Sequence, residues 1–371
     1  MTVRRERTAP RVGERVPVPG TSGRAPAGPG VVAVTGGAGG LGRALLERLA
    51  CRSDLAGLVG VDVRPGSVDG VVWRTADVRD PLLGQRLAGA DVVVHLATSY
   101  DVGQDAVERR ALNVRGTAQV LEAALAVGVR RVVLTTSADV HGARPDNPVP
   151  LPDDAPLHRE PDETTLAGDH VEVERLASHA VRAGLDVAVL RPATLVGGPL
   201  GPAYDGQPLR LLSGTRLLAT RGHEPLWQLC HTDDLVAALE LVVTGEVAGP
   251  LAVACTGWLE QSRVEVLTGR RRLELPPAVA LSTAERLHRY GVATSSRREL
   301  DRVLAPLVVH PQRLLDAGWT PSWTNEEALL AHLAGRGPDG RAGTVGAAAG
   351  AVALLSTAAL VRAARRKRRR R

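Results

Sequence analysis

The chain has 371 residues, 44% of them hydrophobic and 23% charged, an ordinary balance for a soluble protein with a sizeable core. That excludes a wholly disordered, collagen-like or polytopic membrane protein. The net charge of +6 is no nucleic-acid signal: residues 362–371 carry eight positive charges and residues 1–30 a net four, leaving the body at −6, so no basic groove and no specific nucleic-acid partner are implied.

In chain order, residues 1–30 are rich in Arg, Pro and Gly. They lack the apolar run of about 7–15 residues that a signal peptide needs, which predicts a disordered leader. From Val31 short β-branched runs alternate with Ala/Leu/Arg stretches of helical period. Strands are predicted at Val31–Thr35, Leu58–Asp62, Asp91–Leu96, Arg131–Thr135 and Asp186–Leu190, with one more before Asp77. Helices are predicted at Leu41–Ala50, Pro81–Ala88, Gln104–Val127 and Thr165–Ala183. Apolar strands separated by amphipathic helices predict an α/β fold, a parallel sheet covered on both faces.

After Arg191 the alternation loosens into a Gly/Pro-rich stretch and shorter elements at Pro208–Leu218, Asp233–Val243 and Gln312–Ala317. The predicted organisation is a body over 31–335, mainly cofactor-binding over 31–190 and mainly a substrate region over 191–335. A tail follows at 336–371. Within it, residues 342–361 are uncharged and long enough to span a bilayer, but mostly Ala and Gly. The Arg-rich end after them suits an anionic membrane surface. Cys51, Cys230 and Cys255 show no metal-ligand spacing, so a reduced, cytoplasmic body without a metal site is expected.

Thr35-Gly36-Gly37-Ala38-Gly39-Gly40-Leu41-Gly42 follows the first strand and opens the first helix. Gly36, Gly39 and Gly42 give the spacing for a tight turn, a close backbone approach to a pyrophosphate, and close helix–strand packing. Asp62 ends the second strand twenty residues after Gly42, where a carboxylate accepts from adenosine ribose hydroxyls. Arg64 lies near enough to meet a 2′-phosphate, but the acidic residue argues for NAD over NADP. Asp77-Val78 stands where an adenine edge would lie.

These motifs, in this order, resemble those of the extended short-chain dehydrogenases/reductases of the NAD-dependent epimerase/dehydratase family. Further matches are His95-Leu96-Ala97, Asn113, Ser137 within Thr136–Gly142, Leu190-Arg191-Pro192 and His231–Leu235. The resemblance covers about Val31 to Gly335. It implies a doubly wound, seven-stranded Rossmann sheet, NAD, and often a nucleotide-sugar ligand. It implies cofactor contacts at Gly36, Gly39, Gly40, Leu41, Gly42, Asp62, Asp77, Val78, Leu96, Ala97, Asn113, His170, Arg191 and Pro192. It also implies a homodimer through the Gln104–Val127 and Thr165–Ala183 helices.

The family's chemistry uses a Ser or Thr, a Tyr, and a Lys four residues after the Tyr. Ser137 matches the first, but the Tyr position is Leu166 and the Lys position is His170. Leucine cannot move a proton, and a histidine of pKa near 6.5 is mostly neutral at pH 7. The motif is not displaced elsewhere, because Lys367 in the tail is the only lysine. The chain therefore reads as a non-catalytic or strongly altered member. The alternative is an active epimerase, dehydratase or oxidoreductase using substituted proton-transfer groups. Tyr100 and Tyr204 read as loop aromatics and His95 as a satisfied core histidine. Asp153-Asp154 are expected to be solvated, and Asp233-Asp234 to cap the helix they open.

Overall fold

The computed structural model describes residues 30–101, 104–157, 164–198, 217–220, 222–276 and 304–335. In chain order they form β1 (Val31–Thr35), α1 (Gly40–Ala50), β2 (Gly57–Asp62), β3 (Val71–Thr75), α2 (Leu83–Leu87), β4 (Val92–His95), α3 (Ala106–Arg110), α4 (Gly116–Val127) and β5 (Arg131–Thr135). Next come α5 (Leu166–Arg182), β6 (Asp186–Pro192), β7 (Thr194–Val196), β8 (Leu217–Thr220), β9 (Leu226–Trp227), β10 (Leu229–His231) and α6 (Thr232–Thr244). The rest are β11 (Gly249–Val253), β12 (Leu259–Glu260), α7 (Gln261–Thr268), β13 (Arg272–Leu275), α8 (Gln312–Asp316) and α9 (Asn325–Gly335). The expected leader before residue 30, Tyr204 and the tail 342–371 lie outside the described residues. Among the described residues, no helix is long and apolar enough to cross a membrane.

The central sheet has seven strands in the order β11-β6-β5-β4-β1-β2-β3, and every neighbouring pair is parallel. Side chains alternate between the faces of a strand, and the apolar runs divide accordingly. Val32, Val34, Val92, Val94, Val133, Ala188 and Leu190 face the layer containing Leu45 and Leu49 of α1 and Leu235 and Leu239 of α6. Ala33, Val93, Val132, Leu134, Val187 and Val189 face the opposite layer, with Leu83 of α2, Val120 and Ala124 of α4, and Val173 and Ala177 of α5. The inner strands are largely apolar because both faces are covered, whereas the edge strand β3 leaves Val72 exposed. A third cluster, including Leu217, Trp227, Leu229, Val264 and Leu329, forms the small region made largely of residues after β6.

Two expectations need correction, and the seventh strand of the expected sheet lies where the sequence did not mark one. The predicted helix over Gln104–Val127 is two α-helices joined by a π-helical turn, Ala111–Arg115. The Asp105 carboxylate caps α3 by accepting from Val107 and Glu108, and the wide turn carries Asn113 inward. The seventh strand, β11, comes from a short Gly-Pro-led run that local pattern does not separate from a loop. Asp153 is buried, not solvated: its carboxylate accepts from the backbone N–H of Ala252 at 2.6 Å and of Arg313 at 3.0 Å. Burial without those partners would be costly. Asp154 is exposed as expected.

Asp153 thereby fastens the edge strand β11 to the chain before α5. The neighbouring Leu151 pairs with the late segment through Leu151 N–H to Val308 C=O and His310 N–H to Leu151 C=O.

Candidate cofactor and active site

In a doubly wound sheet, ligands bind at the carboxyl ends of the strands where the strand order reverses, here between β1 and β4. Gly36 leaves β1 with φ of 70°, and a Cβ there would stand 2.6 Å from the backbone N of Ala97. The turn thus lies directly on Leu96-Ala97 at the end of β4. A Cβ on Gly42 would stand 2.1 Å from the Gly36 carbonyl oxygen, so α1 touches the turn it opens from. Gly39 is the N-cap of α1 and supplies no side-chain cap. The first-turn amides and the positive end of the helix dipole are left for an anion. Gly42→Ala is expected to cost about 3 kcal/mol, the upper range of overpacking against fixed neighbours, as read by urea denaturation. An unchanged midpoint would show that the turn can retreat.

Asp62 ends β2 beside this turn. Its carboxylate accepts from Ala38 N–H at 3.1 Å and, less closely, from Arg64 N–H at 3.4 Å. Between the turn and the loop after β2 lies a cavity of about 350 Å³ lined by Gly37, Ala38, Arg43, Arg64, Ser67 and Trp73, among others. Asp77 is held by Arg79 through backbone and guanidinium, with Nε at 2.9 Å. That guanidinium keeps the Asp77 carboxyl below the usual carboxylate range. Val78 is buried and packs against Gly116 of α4.

His95 is the satisfied core histidine expected. Thr117 gives its hydroxyl proton to the Asn113 carbonyl, so it must accept from His95 Nε2 at 3.1 Å. His95 Nδ1 then accepts from the Thr35 hydroxyl at 2.7 Å. The ring must be neutral to do this, and burial lowers its pKa to about 4. Asn113 brackets the segment after β4: its Oδ1 accepts from Ser99 N–H at 2.7 Å and its Nδ2 donates to Ser99 C=O at 2.9 Å.

Ser137 lies half-buried after β5, with its hydroxyl 3.2 Å from an Asp139 carboxylate oxygen. Leu166 is half-buried in the first turn of α5, which Thr165 caps by accepting from Gly168 N–H. One turn later His170 is 3% exposed, and neither ring nitrogen has a hydrogen-bond partner among the described residues. Burial lowers its pKa to about 4. The Tyr100 ring lies against it, with centroids 5.8 Å apart and planes at 60°. Tyr100 follows β4 and His170 lies in α5, and no local pattern links residues so far apart in the chain.

Two carboxylates nearby are engaged elsewhere. Asp169 is buried and accepts from Arg109 Nε at 2.8 Å and from Arg110, so it does not pair with His170. Arg191, expected at the cofactor, makes a bidentate pair with Glu174 at 2.7 Å on both arms. Its remaining arm donates to Asp153 C=O. Pro192, the last residue of β6, lies beside it.

At the late motif the cap is not an aspartate: His231 caps α6 by accepting from Asp233 N–H through Nδ1. Its ring stacks on Trp323 at 3.8 Å. The Asp234 carboxylate turns away to accept from Ser322 and Trp323 N–H. Among the described residues no cluster of His, Cys, Asp or Glu could hold a metal ion.

Residues 32–252 match the model of the NAD dependent epimerase/dehydratase family. An uncharacterized protein of Mycobacterium tuberculosis (strain ATCC 25618 / H37Rv) is 30% identical over 326 residues, covering 83% of this chain and 85% of that protein. The 3-diazoavenalumate denitrifying reductase of a Streptomyces species is 34% identical over 233 residues, 60% of this chain and 75% of the reductase. Among solved structures, the fold is shared with UDP-glucose 4-epimerase of Thermotoga maritima at a TM-score of 0.60 and 19% identity. That match covers 82% of this chain and 97% of the epimerase. It is shared equally with the dTDP-glucose 4,6-dehydratase DesIV of Streptomyces venezuelae, at 0.61 and 20%, over 83% and 97%.

Proposed function

Because the chain belongs to the NAD dependent epimerase/dehydratase family, we propose that it binds NAD at the end of the sheet without the family's usual Tyr–Lys proton transfer. The observation that carries this reading is His170. It stands at the family's lysine position, buried, uncharged and with two unpartnered ring nitrogens. Buried polar atoms are normally satisfied, and the hydroxyls of a nicotinamide ribose have the chemistry to satisfy these. A neutral imidazole can hold such a hydroxyl, but it brings no positive charge to lower a neighbouring hydroxyl's pKa. Leu166, at the tyrosine position, has no proton to give.

In this reading Gly36, Gly39, Gly40, Leu41 and Gly42 cradle the pyrophosphate, and Asp62 meets the adenosine ribose. Asp77 and Val78 border the adenine, Leu96 and Ala97 floor the site, and Asn113 holds the segment after β4 in place. NAD supplies hydride-transfer capacity when bound; Ser137 orients a ligand in front of it. Residues 191–335 form the ligand-facing region.

A second reading has one observation in its favour, the Tyr100 ring against His170. In it the chain is an active member on a nucleotide sugar or similar polar substrate, with Tyr100 as the proton donor. Burial pushes the Tyr100 phenol up, which keeps its proton on at neutral pH but makes it a weaker acid than a free tyrosine.

Calorimetry on the whole chain is expected to show NAD binding, weakened about tenfold or more by Gly39→Asp or Asp62→Ala. No epimerase or dehydrogenase turnover is expected on common nucleotide sugars. Robust turnover that Tyr100→Phe abolishes would replace the first reading with the second.

A further inference from the structure

Hydride delivery to a neutral carbonyl ends in an alkoxide, which needs a proton and donors aimed at the developing charge. The corner of the site around Ser137 offers the opposite. A carboxylate can only accept, so at 3.2 Å the Ser137 hydroxyl gives its proton to Asp139. The same hydroxyl oxygen accepts from the Asp139 backbone N–H at 3.2 Å. It keeps one lone pair, and no proton, to offer a ligand. Asp139 is half-buried, and its negative charge opposes any oxyanion formed beside it. Leu166 has no proton to supply. The buried His170 ring brings no positive charge, and its two nitrogens have no partner among the described residues. The Asp139 charge reaches that ring, where it works against the burial that lowers the ring's pKa. Arg109 and Arg110 are drawn onto Asp169, and Arg191 onto Glu174.

We propose that this corner takes a substrate already cationic at its reacting centre, an iminium, and that Asp139 with Ser137 recognises the positive charge. The inference rests on the dinucleotide-binding reading above and names the substrate class of that same site. The co-reactant is the reduced dinucleotide, NADH. Hydride, carrying its electron pair, forms a new C–H bond at the iminium carbon. The C=N π bond breaks, and its pair returns to nitrogen as a lone pair. The substrate is reduced by one electron pair and the dinucleotide oxidised by one. The product is a neutral tertiary amine, so no proton enters or leaves and no general acid is needed. The positive charge passes from the substrate to the oxidised dinucleotide, and the total is unchanged. A site that lacks a proton donor and carries a carboxylate suits this transfer, for the same reasons that it does not suit a carbonyl.

The test has a binding arm and a labelling arm, both on the whole chain. With the chain saturated with NADH, calorimetry compares N-methyl tetrahydroisoquinoline, a protonated amine at neutral pH, with isochroman, its neutral oxygen counterpart. The amine is expected to bind about tenfold or more tighter, and Asp139→Asn to erase that preference. The comparison on the natural sequence decides even where the variant does not fold. In the second arm, N-methyl dihydroisoquinolinium is supplied with NADH deuterated at its transferable position. The tertiary amine is expected to carry one deuterium at the former iminium carbon, while tetralone, a neutral ketone of similar size, is left unreduced. Equal binding of amine and isochroman, a preference that survives Asp139→Asn, no deuterium in the amine, or reduction of the ketone at a comparable rate each overturns the proposal. All of these leave dinucleotide binding intact. Failure of the dinucleotide to bind in either oxidation state overturns the underlying reading together with the proposal.

Discussion

Arg191→Met is expected to lower the unfolding free energy by about 3–5 kcal/mol, the cost of leaving one half of a buried ion pair without its partner. Glu174 sits 5% exposed, accepting both arms of Arg191 and the Thr136 hydroxyl. Once the guanidinium is gone, the carboxylate must either stay charged in an apolar setting or take up a proton. The same substitution frees the Asp153 carbonyl, which accepts from the third arm. Urea denaturation at neutral pH reads the loss directly. The double substitution Arg191→Met with Glu174→Leu is expected to recover most of it, because removing both charges removes the desolvation cost. A loss below about 1 kcal/mol for the single variant would mean that water reaches Glu174 and that the pair is not sealed.

Mild acid is expected to destabilise the chain through its buried histidines. His95 and His170 have pKa values near 4 in the fold, against 6.5 when free, and desolvation is the main cause for both. A group whose folded pKa is depressed contributes stability that is fully present above its unfolded pKa. As the pH falls from 6.5 toward 4, the unfolded chain binds protons that the folded chain refuses. At about 1.4 kcal/mol per unit, each histidine would withdraw about 3 kcal/mol over that window. His141 and His231, lowered by the same cause, act with the same sign. Asp169 and Asp234, raised by burial, act with the opposite sign toward the acid end. Urea midpoints taken from neutral pH down through this window should fall steadily, and His170→Gln should flatten the slope. An unchanged slope in that variant would mean that His170 titrates normally.

What the sequence discloses and what it hides follow from the range of the forces involved. β1, α1, β2 and β4 are legible because their identity depends on local period, and the glycines at 36, 39 and 42 on local backbone geometry. His95 could be read as a core histidine since a strand that is apolar on both faces leaves its end residue no solvent. The burial of Asp153 could not be read, because it depends on Ala252 and Arg313 amides far along the chain. The pairing of Arg191 with Glu174 is hidden for the same reason. Helix α5 shows where Glu174 points only once β6 is laid beside it.

The clamp on β11 bears on the order in which the protein can be made. The free edge of a parallel sheet is a template for pairing with other chains unless something blunts it. Here the backbone N–H of Ala252 is taken by Asp153, which was synthesised much earlier, and Arg313, synthesised much later, completes the arrangement. A nascent chain leaving the ribosome can close β1 through β6 while this border is still open. It is fully covered only when the residues around Arg313 emerge. Premature termination between Val253 and Arg313 would leave all seven strands in place with the Pro250 carbonyl of this border uncovered, a form more prone to associate with its own copies.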